Sequence, residues 1–378
     1  MLRVKLIAQV KLLPSNSQSQ ALKATLELAN AACDWISELA WDAQVFRQYD
    51  LHKLIYHRAR GHYDLSAQVI VRCIAKVADA YKLDKKTART FKPHGAIAFD
   101  DRILSWKTDK QVVSIWTLNG RQKIPYICGE RQKRLLESRI GETDLVYRKG
   151  RFYLLAVCEV PEPTPADVDD VLGVDFGVVN LATTSDGEVF SGSDVERVRQ
   201  RYHARRRTLQ RAAEKAKQRG KRPKQIRRAL KRTKGKESNF RSHTNHVISK
   251  QLVRTAKDTS RGIAIEELKG VRERTRFRKS QRARMSGWSF YQLRQFLEYK
   301  ARLNGIRLIT VDPRNTLRRC HECGHCDKAN RRTQENFECQ SCGHRSLADF
   351  NAALNIRERA RASVNALKVS EHAASVAA

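Results

Sequence analysis

The sequence predicts a multidomain α+β protein, with a C-terminal α/β core that carries a zinc ribbon and an N-terminal β-barrel into which a helical domain is inserted. Three observations lead there. Strand-like and helix-like patterns alternate after a proline series at Pro161, Pro163 and Pro165. A long helical stretch interrupts the β-rich runs before that series. Two CxxC pairs stand near the C-terminal end. A chain of 378 residues exceeds what one ordinary core serves, and 41% hydrophobic residues supply two or three cores.

Val4 to Leu13 alternates apolar and polar residues and stops at Pro14 and a Ser/Asn/Gln cluster, which predicts a strand closed by a turn. From Ala21 to Leu83 apolar residues such as Leu26, Leu28, Ala32 and Ile36 recur at helical spacing. Between Ala96 and Val160, runs at Gln111 to Thr117, Leu145 to Arg148 and Phe152 to Val160 are β-rich and separated by Gly and Asp turns. A small β-barrel over residues 1–14 and 90–165 follows, with residues 15–89 as its helical insertion and the prolines as a stiff linker.

Beyond the linker, Val171 to Asp175, Asn180 to Ser185 and Glu188 to Phe190 read as a three-strand meander. Val195 to Ala256 reads as long helices, Gly262 to Ile265 as a buried strand, Gly287 to Leu303 as a helix and Ile306 to Val311 as a strand. Ala348 to Ile356 reads as a helix, followed by a weakly patterned tail from about residue 360. Three strands, helix, strand, helix, strand and a last helix is the order of an RNase H-like core. That core would span residues 166–317 and 346–378, with a basic helical insertion at 194–256, a lid at 270–286 and a zinc ribbon at 318–345.

Against 74 Lys and Arg stand 40 Asp and Glu, a formal charge of +34. Such an excess calls for a polyanion. No apolar stretch is long enough to span a bilayer and Met1 to Val10 has no signal-peptide pattern, so nucleic acid rather than a membrane is the expected partner. Cys33, Cys73, Cys128 and Cys158 are scattered among apolar residues as buried thiols are, and a reducing cytoplasm fits them. Nineteen Lys or Arg against one acid, Glu214, lie between Arg197 and Lys236, and that imbalance favours phosphate contact over a merely solvated helix. A second cluster, Arg272 to Arg284, has the composition of a lid. Trp288 and Tyr291 could stack on bases, but core-facing helical positions suit both better.

Three acids stand at element ends. Asp175 closes an apolar run, Glu266 closes another with Glu267 as its rival, and Asp349 opens the last helix, where the helix dipole alone would favour an acid. Singly each has an ordinary turn or capping role. Together, in a core whose first and fourth strands are neighbours and whose last helix crosses their ends, they would converge and hold Mg²⁺ or Mn²⁺ for phosphodiester hydrolysis. Asn351 could support them as a neighbouring amide. No Ser-His-Asp or Gly-rich phosphate-loop pattern competes.

Cys320 and Cys323 are separated from Cys339 and Cys342 by fifteen residues, the spacing of a four-cysteine Zn²⁺ ribbon. Gly324 and Gly343 follow the second cysteine of each pair, as tight knuckles require. Cys326 is a spare thiol near His321, His325 and His344, which leaves some ambiguity in the ligand set. Paired CxxC units speak against a redox dithiol.

The stretches GVDFGVVNLAT, IAIEELKG, CHECG, CQSCG and ADFNAALNI, with GWSFYQLRQFLEYKARLNGIRLITVDP between them and KLLPSNSQSQ near the start, resemble TnpB, the transposon-encoded relative of compact type V CRISPR nucleases. The resemblance spans most of the chain. It implies that Asp175, Glu266 and Asp349 are RuvC-type catalytic acids and that Cys320, Cys323, Cys339 and Cys342 bind zinc. It further implies a wedge barrel with an inserted recognition domain, a guide RNA from the transposon end, and a double-stranded DNA target read beside a short adjacent motif. Leu317, Arg318 and Arg319 depart from the small polar residues usual before the first knuckle. A strand-transfer transposase would share fold and metals but orders its acids Asp, Asp, Glu. A nuclease-inactive guided repressor would lack an acid that this chain keeps.

Overall fold

The computed structural model describes residues 3–267 and 290–376, with side chains of the last helix described as far as Asn365. The chain forms two compact units that meet at Pro161 and Glu162. The expected lid, Arg272 to Arg284, and Trp288 lie outside the described residues.

The first unit opens with β1 (Arg3–Leu12), whose alternating burial matches its alternating sequence. Ser15 then caps α1 (Asn16–Asp42) in a capping box with Gln18, which satisfies two orphan donors of the first turn. Next come α2 (Gln48–His62) and α3 (Ala67–Leu83), whose apolar faces meet that of α1, and these three helices are the helical insertion between β1 and β2. The remaining elements are β2 (Ile97–Phe99), β3 (Leu104–Lys107), β4 (Val112–Thr117), β5 (Gly120–Ile127), a short helix α4 (Glu130–Leu136) that the β-rich pattern does not foretell, β6 (Arg139–Arg148) and β7 (Arg151–Pro161). They form one seven-stranded sheet in the order β2-β6-β7-β1-β5-β4-β3. Among the described residues no ladder joins its end strands β2 and β3. Cys33, Cys73 and Cys158 are buried as expected, and Cys128 is half-buried.

The second unit is built on a five-stranded sheet of β8 (Val171–Asp175), β9 (Asn180–Thr184), β10 (Val189–Ser191), β11 (Gly262–Glu266) and β12 (Leu308–Val311), ordered β10-β9-β8-β11-β12. β8, β11 and β12 are parallel, β9 runs back antiparallel to β8, and β10 reverses again antiparallel to β9. Between β10 and β11 stand α5 (Ser193–Gln218), α6 (Lys224–Thr233) and α7 (Lys236–Asp258); α8 (Phe290–Leu303) precedes β12. A β13 (Asn336–Glu338) and β14 (Arg345–Leu347) hairpin leads directly into α9 (Ala348–Val376). The last helix therefore continues through the expected tail, and it does so with Ala360 and Val364 buried against the sheet.

Residues of β8 and β11 are buried on both sides, as central parallel strands must be. Their alternation divides two cores. Leu172, Val174, Ile263 and Ile265 face α7 and α8, while Val171 and Ala264 face α9 through Ile356, Ala360 and Val364. Arg357 of α9 pairs with Asp170 just before β8, and the Arg361 guanidinium lies 3.6 Å from the same acid. Tyr291 departs from its expected core-facing position. It is 70% exposed, because Leu293, Leu297 and Ala301 take the buried stripe of α8. No described helix is long and apolar enough to cross a membrane.

Candidate active site and metal centre

The strand period brings the three acids together. Gly173 and Asp175 share the face of Val171, and Glu266 shares the face of Ala264, so both carboxylates point to the side that α9 covers. The parallel register pairs Ala264 with Gly173 and Ile265 with Val174, which leaves Glu266 and Asp175 adjacent at the two strand ends. On α9, Ala353 lies over Gly173, and Asp349 stands one helical turn earlier, over the residues that follow Asp175. A Cβ at Gly177 would stand 2.6 Å from the Asn180 carbonyl oxygen, so glycine lets the loop after β8 turn tightly, and the same position lies 3.7 Å from Asp349 Oδ2. Glu267, the rival of Glu266, lies on the opposite strand face and pairs with Arg294 at 2.6 Å.

These acids charge one another's surroundings. Asp175 is buried, and burial pushes its carboxyl well above the usual range, with the Glu266 and Asp349 carboxylates adding to the rise. Burial also pushes Glu266 up. The Thr316 hydroxyl, which donates to a Glu266 oxygen, and the Arg359 and Arg331 guanidiniums oppose that rise. Asp349 accepts hydrogen bonds from the Asn180 amide at 3.0 Å and from Arg331 at 3.2 Å. Thr316, Asn180 and Arg331 carry no motif that would mark them in the sequence, except that Asn180 closes GVVN within the first stretch of resemblance.

The cysteines form the tighter group. The ligand sulfurs of Cys320, Cys323, Cys339 and Cys342 all lie within 4.8 Å of one another, and among the described residues no other set of three or more Cys, His, Asp or Glu meets that limit, the three acids included. Cys320 and Cys342 sulfurs are 3.8 Å apart, and those of Cys323 and Cys339 3.5 Å. Tetrahedral zinc with Zn–S bonds of about 2.3 Å needs sulfurs about 3.8 Å apart, so the donor set fits that ion.

The two knuckles are built alike. The Gly324 N–H donates to the Cys320 carbonyl and the Gly343 N–H to the Cys339 carbonyl, each glycine at a positive φ of 76° or 73°. Burial pushes Cys339 up, but the N–H groups of Cys342 and Ser341 outweigh it and hold the thiol down to about 6. The His344 N–H favours the Cys342 thiolate, yet protons shared with the other three sulfurs raise Cys342 to about 12. Four sulfurs so close cannot all be anionic without a cation. Cys326 is exposed and stands outside the group, as do the histidine side chains.

The ribbon is tied to the acids. Cys320, Phe337, Cys339 and Ala348 share one small core, and the Ala348 N–H donates to the Glu335 carbonyl, so the hairpin sets the first residue of α9 next to Asp349. Asn351 does not reach the acids. Its amide accepts from the His321 N–H at 3.2 Å and donates to the Arg319 carbonyl at 2.8 Å, which fastens the first knuckle to α9. Asn355 donates to the carbonyls of Thr316 and Arg319 at 2.9 and 2.7 Å and so supports the segment that carries Thr316.

The basic stretch is an exposed surface. Of the nineteen Lys and Arg between Arg197 and Lys236, all but Arg199 and Arg206 are exposed, and α5 buries no residue. Cationic side chains that are not spent on packing are free to meet phosphates.

Comparison with known proteins accords with this architecture. Residues 155–271 match the OrfB_IS605 family model, described as "Probable transposase", and residues 290–356 match the Cas12f1-like TNB domain. The chain is 32% identical over 233 residues to the CRISPR-associated endodeoxyribonuclease Cas12f1 of Sulfoacidibacillus thermotolerans, which covers 58% of this chain and 53% of that protein. It is 24% identical over 206 residues to a TnpB-like protein of Methanocaldococcus jannaschii, covering 52% of this chain and 71% of the other. The chain thus spans about half the length of the Cas12f1 relative. A Cas12f1 in complex with single guide RNA and target DNA superposes with a TM-score of 0.56 at 16% identity, over 90% of this chain and 81% of that one, which shows a shared fold. Two family models match in chain order and relatives stand on both the transposon and the CRISPR side, so the chain is similar to the TnpB family and to the compact Cas12f nucleases.

Proposed function

We propose that the chain is an RNA-guided DNA endonuclease encoded by a transposable element, which cleaves target DNA beside a short adjacent motif. The observation that carries this reading is the meeting of Asp175, Glu266 and Asp349 at one end of the parallel strands. In it, the five-stranded sheet with α7, α8 and α9 is an RNase H-like (RuvC) core, the seven-stranded sheet is a wedge and α1 to α3 are its recognition domain. Residues 318–345 are a zinc ribbon that orients α9.

The acids suit hard divalent cations. Oxygen donors bind Mg²⁺ or Mn²⁺, and buried carboxylates that repel one another gain most from an added positive charge. Three such carboxylates at the strand ends would suit a pair of these ions. Bound there, such ions supply Lewis-acid polarisation of the phosphodiester and an activated water. The chain's own part is to hold the carboxylates. Thr316 fixes the Glu266 oxygen, Asn180 fixes Asp349, and the apolar walls of β8 and β11 keep solvent away from Asp175. The exposed cations of α5 to α7 would bind the backbones of guide and target.

The test is to sequence RNA that co-purifies with the chain, assemble the complex and assay cleavage of targets matching the guide. Asp175→Ala, Glu266→Ala and Asp349→Ala should each keep target binding and lose cutting, since each removes a proposed metal ligand and leaves the basic surface intact. Undiminished cutting by all three variants would refute the assignment.

A further inference from the structure

One cation already reaches the proposed metal site. The Arg331 Nη2 atom lies 3.2 Å from Asp349 Oδ1, and it also donates to the Gln334 carbonyl at 2.8 Å. The Arg331 and Asp349 side chains are each only 17% exposed, so little water screens the pair. The same guanidinium acts on all three acids, since besides touching Asp349 it favours the charged forms of Asp175 and Glu266. Its residue follows the 3₁₀ turn Lys328–Asn330 and sits in the loop before β13. The Arg331 N–H donates a long hydrogen bond, 3.4 Å, to the Lys328 carbonyl.

We propose that Arg331 is a displaceable internal counter-cation, which occupies the carboxylate site in the absence of divalent ions and competes with them for it. The inference rests on the reading that these acids hold metal. Once divalent ions draw the proton from Asp175, the three carboxylates carry three negative charges, and one guanidinium offsets one of them. A first divalent ion and Arg331 together complete the neutralisation, whereas a second ion leaves an excess of positive charge that expels the side chain. Its anchorage permits this, because a long side chain on a loop swings out without moving α9 or the zinc knuckles. The competition would keep weakly bound ions out of an empty site and make full loading depend on ion concentration.

The experiment is calorimetric titration of Mn²⁺ into the full-length, zinc-loaded chain freed of nucleic acid, for the parent, Arg331→Gln, Arg331→Lys and Asp175→Asn. Removing the competing charge in Arg331→Gln should tighten Mn²⁺ binding about tenfold or more, with Arg331→Lys between it and the parent. Zinc per chain, measured on every variant, should stay at one and shows that the ribbon is intact. Unchanged or weaker Mn²⁺ binding by Arg331→Gln, while Asp175→Asn abolishes it, overturns the proposal and leaves the metal site standing. Absence of any acid-dependent Mn²⁺ binding overturns both the proposal and the reading beneath it.

Discussion

A Cβ added to Gly173 of β8 would stand 2.2 Å from the carbonyl oxygen of Ala353 in α9, backbone against backbone. The helix thus lies directly on the strand, and this closeness sets Asp349 above the loop after Asp175. No side-chain rotation relieves such a clash. Gly173→Ala should therefore destabilise the second unit by about 2–4 kcal/mol in urea melts. Gly61→Ala in α2, where a Cβ meets nothing within 4 Å, should instead stabilise by roughly 0.5–1 kcal/mol. Equal stability of the two variants would mean that β8 and α9 are not in backbone contact.

How legible this arrangement is in the sequence depends on what each residue must do. Asp175 and Glu266 end runs apolar enough to be buried on both faces, and that pattern betrays both the parallel pairing and the acids at its edge. The choice between Glu266 and Glu267 is not legible until strand period and register assign them opposite faces. The knuckles are legible because metal ligation dictates residue type and spacing. Arg331, Thr316 and Asn180 are not, since a long or polar side chain reaching across a loop leaves no periodic trace. Asn351 misleads for the same reason, its two-residue spacing from Asp349 turning its amide toward the first knuckle. The tail after Ile356 looks weakly patterned because Ala360 and Val364 are small contributors to a helix stripe.

Burial and the neighbouring acids raise Asp175, so the folded chain keeps a proton that the unfolded chain releases. The sign follows from linkage. The penalty is absent below the unfolded pKa of about 4 and grows as pH rises toward the folded value, by at most about 1.4 kcal/mol per pH unit. Without added divalent ions, Asp175→Asn should be more stable than the parent, with a gap in Tm that widens as pH rises above about 4 and levels off beyond the folded value. Added Mg²⁺ should stabilise the parent and leave the variant unchanged. A pH-independent gap would mean that Asp175 is not held protonated.

Cys339 lies buried in the small core that contains Cys320, Phe337 and Ala348. Cys339→Ser should lower zinc content from one ion per chain toward none, because the remaining three sulfurs no longer close a tetrahedron. Structural zinc is folding energy for a ribbon this small, so the second unit should lose several kcal/mol of stability. Elemental analysis that finds no zinc in the parent would exclude the ribbon.

The exposed cations of α5 offer a test that separates binding from catalysis. Arg205, Arg207, Arg211 and Lys215 are exposed and lie far in sequence from the acids. Each phosphate they neutralise adds about 0.7–0.9 to the slope of log K against log salt. Changing all four to Gln should therefore reduce that slope by about 3 for RNA or DNA binding between 50 and 200 mM salt, followed by fluorescence anisotropy. Affinity would fall most at low salt, where counterion release matters most, while zinc and Mn²⁺ binding stay unchanged. An unaltered slope would show that these side chains are merely solvated and that the charge excess of the chain meets phosphates elsewhere.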